Sequence, residues 1–244
     1  RKEASEVELQ TLCSLPGVSG DEYEVHQYLS TEYQQLNLDL KRDKLGSIFG
    51  ERQVENSPFT VMISSNIDEC GGMIDDIHES GLLSFVTIGD AAPKDFLHQR
   101  VCLLTRHHQR VYGYILQKQE HYWIHIGAKS LQEVEQIGVQ VGDTFVLEIP
   151  VIETKQMILS KNISNRAGVY AAYQLMKTMP PLPYTLSIGG ITQSIVGYRG
   201  AITATNTILP DVSIVFDVAP VRDYAEQTVY IRYFDKTLLP NVSL

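Results

Sequence analysis

The amino-acid sequence predicts an α/β domain that is interrupted by an all-β insert. Apolar residues recur at helical spacing between residues 25 and 33, and the run from Phe59 to Ser64 is short and apolar, which is typical of a buried strand. From about Gly71 to Val151, short strand-like runs follow one another with Gly, Asp and Pro between them. The helical periodicity then returns, so the two outer segments are predicted to form one domain.

The first outer segment is predicted to contain a helix and a pair of strands. Ser19-Gly20-Asp21-Glu22 predicts the start of the helix, because small polar residues cap helices and acidic residues stabilise their first turn. The residues from Leu38 to Phe49 alternate in polarity around the turn-forming segment Asp43-Lys44-Leu45-Gly46. That alternation indicates two neighbouring strands.

The insert is predicted to be a small β-barrel or sandwich with one short helix, Ser130 to Gln136. Its predicted strands are Leu82 to Ile88, Arg100 to Leu104, Val111 to Gln117, Tyr122 to Ile126 and Thr144 to Leu147.

The second outer segment returns to helices and buried strands. Its predicted helices are Arg166 to Met176 and a second one from Gly200 to Thr205, and its predicted strands are Tyr184 to Ile191 and Val212 to Val218. Gly189-Gly190 lies inside an apolar run, which indicates close backbone packing or a bulge and argues against a phosphate-binding loop. The predicted domains are therefore 1–70 with 152–244, and 71–151.

Composition excludes several classes of partner. The net charge of −9 argues against nucleic-acid binding, and the longest basic cluster, Lys41 to Lys44, is interrupted by an acid. No apolar run approaches the roughly 20 residues of a membrane span, so no membrane association is expected. The three cysteines (Cys13, Cys70 and Cys102) are widely spaced, which predicts buried thiols and a cytoplasmic location.

Short motifs rich in Gly, Asp and Asn occur along nearly the whole chain. They are Pro16-Gly17-Val18-Ser19-Gly20, Asp43-Lys44-Leu45-Gly46-Ser47, Asn66-Ile67-Asp68-Glu69, Asn165-Arg166-Ala167-Gly168, Thr192-Gln193, Val196-Gly197-Tyr198-Arg199-Gly200-Ala201 and Val215-Phe216-Asp217-Val218. Each motif is weak by itself. In this order and spacing they resemble the tetrahedral di-zinc metallo-aminopeptidases, a family of glutamyl and deblocking aminopeptidases that also includes proteins described as CelM-like endoglucanases.

This resemblance implies an aminopeptidase-like, phosphorylase/hydrolase-like fold: a three-layer α/β/α core with an inserted all-β barrel. It also implies two zinc or cobalt ions bridged by an aspartate, a glutamate as general base, and assembly into a hollow dodecamer that trims peptides. On these grounds the protein is expected to form a homo-oligomer or to assemble with a homologous aminopeptidase.

Most of the implied metal ligands are replaced in this sequence. The resemblance puts a histidine ligand at Asn66, and Asp68 at the aspartate that supports it. It puts the bridging aspartate and its acidic neighbour at Ser164 and Asn165, which carry no charge. Because both residue types are favoured at helix N-caps, we expect that structural role for them.

The implied catalytic pair is replaced as well. The resemblance puts the general base at Ser194 and a glutamate ligand at Ile195, which cannot coordinate a metal. Asp217 alone matches a carboxylate ligand, and a lone carboxylate more often caps a strand or anchors a loop. Family members continue beyond the segment that resembles Tyr230 to Asn241, so we expect the last histidine ligand and part of the core to lie outside this sequence.

Other catalytic arrangements find little support in the sequence. Six of the seven histidines fall in the insert, where His107 and His108 point to opposite faces of a strand and His121 and His125 lie roughly 13 Å apart at the rise of a strand. No Gly-x-Ser-x-Gly motif surrounds Ser194.

The sequence therefore favours a homologue that has lost metal binding and peptide hydrolysis and acts as a non-catalytic scaffold or binding subunit, with no cofactor expected. Asn66, Asp68, Ser164, Asn165, Ser194 and Ile195 are predicted to line the former metal cleft, with Asp217 as the single candidate ligand. Two alternatives stay open. One is an active metal-dependent aminopeptidase with an altered site, which would release N-terminal residues from peptides. The other is a protein that binds a neutral small molecule or peptide in the vacated cleft.

Overall fold

The computed structural model describes residues 9–155 and 157–218, together with the backbone of 232–235. The chain divides into two compact units. The first contains the N-terminal segment up to Leu15, Glu22–Asp68 and the chain from Asn162 onward, and the second contains Pro16–Asp21 and Glu69–Lys161. The predicted insert, 71–151, falls within the second unit, and its limits as a domain stay a prediction.

Helices and strands alternate in the first unit, whereas strands predominate in the second. The helices of the described residues are α1 (Leu9–Ser14), α2 (Tyr23–Gln35), α3 (Leu131–Ile137), α4 (Ile163–Thr178) and α5 (Arg199–Ile208). The strands are β1 (Asp39–Arg42), β2 (Ile48–Arg52), β3 (Thr60–Asn66), β4 (Gly71–Ile77), β5 (Leu83–Ile88), β6 (Arg100–Leu104), β7 (Arg110–Lys118), β8 (His121–His125), β9 (Thr144–Leu147), β10 (Ile152–Glu153), β11 (Ile158–Leu159), β12 (Thr185–Ile191), β13 (Val212–Val215) and β14 (Arg232–Asp235). A 3₁₀ turn covers Pro93–Phe96.

The first unit is built on a mixed six-stranded sheet in the order β1-β2-β12-β3-β13-β14. The three central strands β12, β3 and β13 are parallel, and the outer strands are antiparallel to their neighbours. Helices α1, α2 and α4 bury their apolar faces in one large core, whereas Ala204 and Ile208 of α5 pack with Phe49, Met62 and Ile191 in another. The predicted three-layer α/β/α core is confirmed.

Strand β12 is buried along its whole length, as expected for a strand between two layers of helices. Gly189 has no room for a side chain, because a Cβ atom there would lie 2.3 Å from the carbonyl oxygen of Ile48 and 2.3 Å from Cδ1 of Phe49. A Cβ on Gly190 would lie 2.3 Å from Cγ2 of Ile67. The close packing predicted for Gly189-Gly190 is confirmed.

The second unit contains a closed barrel in the order β4-β5-β8-β7-β6-β9, which confirms the predicted all-β barrel. Its interior is filled by a buried apolar cluster in which the Phe145 ring contacts Phe85 and Phe96 edge to face. Strand β4 was missing from the predicted strands, because the sequence from Gly71 to Ile77 contains two glycines and two aspartates and does not alternate cleanly. Its glycines are needed by the barrel, since a Cβ on Gly72 would lie 2.5 Å from the Phe145 ring.

The predicted helix of the insert is confirmed, with local signals at both ends. The Ser130 side chain accepts a hydrogen bond from the Glu133 amide at 3.3 Å, which caps the first turn of α3. Gly138 ends the helix in the left-handed conformation that glycine adopts without steric cost.

Two sequence predictions need correction. Helix α2 begins at Tyr23 and not at Ser19, because Val18 and Asp21 pair in an isolated β-bridge. Cys13 and Cys102 are buried thiols, but Cys70 is exposed. Among the helices of the described residues, none is both long enough and apolar enough to cross a membrane.

The turn between β1 and β2 is ordered by the Asp43 carboxylate. Its Oδ1 atom accepts hydrogen bonds from the amides of Leu45, Gly46 and Ser47 at 2.7–2.9 Å, and Oδ2 accepts one from the Thr203 hydroxyl at 2.6 Å. His26 of α2 lies against this turn, and its Nε2 atom is buried without a hydrogen-bond partner among the described residues.

The environment of His26 disfavours its charged form. Burial lowers the pKa of His26 from 6.5 to about 4, repulsion from Arg42 acts in the same direction, and attraction to Asp43 opposes both. Between these two pH values the unfolded chain binds a proton at His26 that the folded protein does not bind, so the folded state loses stability as the pH falls.

We predict that Gly189→Ala lowers the free energy of unfolding by about 1–3 kcal/mol, because overpacking shifts the backbone or the neighbouring ring. Urea unfolding followed by circular dichroism measures the change. Ser187→Ala on the same strand is the control, since the Ser187 hydroxyl is buried without a hydrogen-bond partner among the described residues and its removal should not destabilise the protein. Equal stabilities of G189A and the parent protein would contradict the prediction.

We predict that His26→Gln flattens the dependence of stability on pH between about 4 and 6.5. The parent protein should lose up to roughly 3 kcal/mol more than the variant across this window, which is the energy equivalent of the lowered pKa. Urea unfolding at several pH values measures both slopes, with Gln27→Ala on the exposed side of α2 as the control for changes in the helix itself. Parallel curves for H26Q and the parent would show that His26 does not cause the effect.

Candidate functional site

The carboxylate of Asp68 is the centre of the candidate site. Asp68 follows strand β3 and is completely buried. Its Oδ1 atom accepts a hydrogen bond from the Ser194 hydroxyl, and its Oδ2 atom accepts one from the Ile195 amide at 3.0 Å. Strands β3 and β12 are parallel neighbours with Asn66 opposite Ile191, so the segments that follow them meet at the carboxyl edge of the sheet.

Asn165 is joined to the same group through the backbone. Its side-chain Nδ2 donates a hydrogen bond to the main-chain oxygen of Asp68 at 2.6 Å, and its own carbonyl oxygen accepts one from the Ser65 hydroxyl at 3.4 Å. Ser164 is exposed, and its hydroxyl makes only a long contact of 3.5 Å with Oδ1 of Asn165.

The expectation that Ser164 and Asn165 cap a helix is wrong. Helix α4 begins at Ile163, so both residues lie in its first turn, and the N-cap is Asn162 in a left-handed conformation. The Asn162 side chain makes no capping hydrogen bond, and both of its polar side-chain atoms are buried without a partner among the described residues. No local signal marks this start, because Asn162 is one of several polar residues in the segment.

The other two predicted site residues are not joined to Asp68 by any hydrogen bond within the described residues. Asn66 ends strand β3 and is half-buried. Asp217 follows strand β13 and is exposed, and its Oδ1 atom accepts a hydrogen bond from the Val218 amide at 2.8 Å. This contact is of the kind expected for a loop anchor. The structure thus connects Asp68, Asn165, Ser194 and Ile195, and the lining of a former metal cleft by the predicted set stays a prediction.

The loop after β12 is held by a second buried acid of the first unit. The Glu22 carboxylate accepts a hydrogen bond from the Gln193 amide at 3.2 Å. Gln193 and Tyr198 both have positive φ angles, 51° and 54°, a conformation that costs energy for residues other than glycine. These contacts fix the course of the loop that brings Ser194 and Ile195 to Asp68.

A buried ion pair in the second unit was not predicted from the sequence. Lys161 Nζ lies 3.2 Å and 3.1 Å from the two carboxylate oxygens of Glu69, and the side chains are only 8% and 6% exposed. The Gly17 amide also donates to Glu69 at 3.0 Å. Because 92 residues separate the two charged partners, no local pattern could have paired them.

Comparison with known proteins identifies the family. Residues 46–238 match the sequence profile of the M42 glutamyl aminopeptidases. The chain belongs to this family. The chain is 32% identical to FrvX of Escherichia coli (strain K12), which is named as a proposed aminopeptidase. The match covers 97% of this chain and 73% of FrvX. The glutamyl aminopeptidase of Lactococcus lactis is 27% identical over 88% of this chain and 66% of its own length.

Two solved structures of aminopeptidases have the same fold. Aminopeptidase APDkam598 from the archaeon Desulfurococcus kamchatkensis superimposes with a TM-score of 0.80 at 28% identity, over 90% of this chain and 64% of its own. A TET aminopeptidase from a marine sediment archaeon of the Thaumarchaeota gives the same TM-score and identity. The chain therefore spans about two thirds of the length of several of the proteins that it matches.

The residues at the M42 ligand positions do not fit two divalent cations. A two-metal centre needs several carboxylate or imidazole ligands that converge on ions about 3.5–4 Å apart. The positions implied by the resemblance supply amides, hydroxyls, an isoleucine and the exposed carboxylate of Asp217, and the buried Asp68 carboxylate already accepts two hydrogen bonds. Within residues 9–155 and 157–218, no three His, Cys, Asp or Glu side chains are grouped to hold a metal. No catalytic step through a metal follows from this donor set.

We predict that Asp68→Ala lowers the free energy of unfolding by about 1–3 kcal/mol, because it leaves the Ser194 hydroxyl and the Ile195 amide without their acceptor. Urea unfolding measures the loss. Asp217→Ala is the matched control, since within the described residues it removes an exposed carboxylate that accepts one hydrogen bond, from the adjacent Val218 amide, and it should lower the free energy of unfolding clearly less. Equal losses in the free energy of unfolding for D68A and D217A would contradict a structural role for the buried carboxylate.

Proposed function

We propose that this M42 family member has lost the two-metal centre and peptide hydrolysis, and that it acts as a non-catalytic scaffold or binding subunit. The observation that carries the proposal is the bonding of Asp68. Its carboxylate accepts from the Ser194 hydroxyl and the Ile195 amide, at the two positions where the family resemblance puts the general base and a glutamate ligand.

The chemistry of Ser194 supports the loss of hydrolysis. A general base must accept a proton from the attacking water, and a serine hydroxyl does not do so at neutral pH without an activating group. In this protein the Ser194 hydroxyl is 4% exposed and its proton is directed at Asp68. Loss of a general base alone lowers a rate by about 10²–10⁴.

A scaffold role is supported by what the chain has kept. The first unit has the buried core of its sheet, and the second unit has its closed barrel. Two proteins of the same fold form assemblies: PhTET1-12s is described as a dodecamer, and the Pyrococcus horikoshii TET1 peptidase as able to form a tetrahedron or a large octahedral shell. We extend assembly to this chain, as a homo-oligomer or together with a homologous aminopeptidase, and place it in the cytoplasm, where its thiols stay reduced.

The two alternative functions make different demands on the same residues. An active aminopeptidase with an altered site requires metal binding with Asp68, Asp217 and neutral side chains as ligands. A protein that binds a neutral small molecule or peptide would contact its ligand through the uncharged side chains of Ser164, Asn165 and Ile195. Neither has a specific contact that favours it over the scaffold role.

We predict that the purified protein, after incubation with zinc or cobalt and removal of excess metal, retains close to no metal by elemental analysis. It should also release no N-terminal residue from unblocked peptides. The glutamyl aminopeptidase of Lactococcus lactis, treated in parallel, controls for the loading procedure and the assay. About two retained ions per chain would overturn the proposal in favour of the altered active site. Raised thermal stability with an uncharged peptide, without metal, would favour the ligand-binding alternative.

A further inference from the structure

The barrel has one poorly paired seam, between β5 and β8. Strand β5 pairs with β4 along its whole length, and β8 pairs with β7 along its whole length. Between β5 and β8, however, the only paired residues in the described part of the chain are Leu83 and Ile124. Beyond that pair, Ser84 to Ile88 of β5 and His121 to Trp123 of β8 form no residue pair with each other in the described part of the chain. We call these two segments and the space between them the seam.

The backbone groups that point into the seam can be assigned from the alternation along β4. The Ile74 amide donates to the Asp143 oxygen and the Ile74 oxygen accepts from the Gly142 amide, both at 2.8 Å, so Ile74 makes its hydrogen bonds on the side away from β5. Its neighbour Met73, opposite Val86, therefore bonds toward β5. Because bonding alternates along a strand, Phe85 and Thr87 direct their N–H and C=O groups away from β4, into the seam.

A cavity of about 450 Å³ opens at the seam. Aromatic side chains and two carboxylates line it: Asp75, Ser84, Phe85, Pro93, Glu120, His121, Tyr122 and Trp123. This lining, drawn from the described residues, includes no lysine or arginine. The Asp75 carboxylate accepts a hydrogen bond from the Ser84 hydroxyl, which holds it at the rim next to the β5 edge.

We propose that the seam binds an extended, positively charged peptide segment of another protein, which pairs with the open edge of β5. An exposed strand edge is a template for an added strand, whose main-chain hydrogen bonds supply affinity while alternate side chains supply specificity. Asp75 and Glu120 attract lysine or arginine side chains, and the aromatic ring of Trp123 suits the same cations. The net charge of −9 makes a basic segment a better electrostatic match than a second copy of this chain.

The length of the edge sets the length of the segment. Five residues, Ser84 to Ile88, are available on β5, which at about 3.3 Å per residue is roughly 17 Å. A peptide of about four to six residues matches this edge. The seam lies in the second unit, so peptide binding there does not depend on whether the Asp68 site of the first unit binds metal.

The seam contains its own spectroscopic probe. The protein has a single tryptophan, Trp123, and this residue lines the cavity. We would titrate the full chain with three capped six-residue peptides and follow the fluorescence of Trp123. The first alternates Val with Arg, the second alternates Val with Glu, and the third keeps the Arg residues but has Pro in place of the Val residues that would pair.

The expected result is a saturable change in emission with the Val/Arg peptide. Binding should be at least about tenfold weaker for the Val/Glu peptide, which the carboxylates repel, and for the Pro-containing peptide, whose Pro residues cannot donate main-chain hydrogen bonds to the edge. The absence of any change with the Val/Arg peptide would overturn the proposal. Equal binding of the Pro-containing peptide would also overturn it, because charge attraction would then explain the result without strand pairing.

Two matched sets of variants test the same point on the protein side. Thr87→Pro removes an amide that points into the seam, and it should weaken binding of the Val/Arg peptide at least about tenfold. Thr87→Val keeps the amide and a branched side chain, and it should leave the affinity for this peptide unchanged. Asp75→Asn combined with Glu120→Gln should weaken binding of the Val/Arg peptide and reduce the difference in affinity between the Val/Arg and Val/Glu peptides. Unchanged affinity in both T87P and the doubly neutral variant would overturn the proposal. Because T87P can fail to fold, circular dichroism checks it, and the peptide comparison on the parent protein decides the question by itself.

Discussion

The buried carboxylate of Asp68 is the constraint around which the end of the main sheet is organised. A charged group that is removed from water needs donors within hydrogen-bond distance, and leaving it without them costs several kcal/mol. Asp68 has no access to solvent and obtains its donors from the loop that follows the neighbouring strand β12. That loop must therefore take a defined path. The hydrogen bond from the Gln193 amide to Glu22 supports this path, and the positive φ angles of Gln193 and Tyr198 show its strain.

The same constraint bears on function. In a two-metal hydrolase, carboxylates hold the cations, and the cations in turn stabilise the carboxylates. In this chain a hydroxyl and a main-chain amide stabilise the buried Asp68 carboxylate. Hydrogen-bond donors of this kind satisfy a carboxylate without a metal, so Asp68 with Ser194 and Ile195 is an arrangement that needs no cation. Fold and family membership do not by themselves establish activity, because activity depends on the residues at the site.

The barrel of the second unit has a different organisation. Its core is held by apolar packing around Phe145, and glycines at Gly71 and Gly72 allow β4 to approach that ring and its strand. Within the described residues, each neighbouring pair of barrel strands has at least three paired residues in register, except β5 and β8, which have one. Unpaired strand edges invite pairing with other chains, and natural proteins usually cover them or blunt them. The carboxylates beside the seam restrict which chains can pair there, since they repel acidic segments.

The sequence by itself determined the elements and the residue chemistry of this protein. Strands such as β6 and β9 and the helix α3 were predicted within a residue or two, because their signals are local: apolar periodicity, a serine cap and a terminal glycine. Strand β4 was not predicted, since Gly71 and Gly72 and the paired aspartates hide its alternation. Only the tertiary structure decided which donors hydrogen-bond to Asp68, that Lys161 pairs with Glu69, and that β5 and β8 form one residue pair within the described residues. These facts depend on the register between segments up to 127 residues apart, and local sequence patterns contain no information on that register.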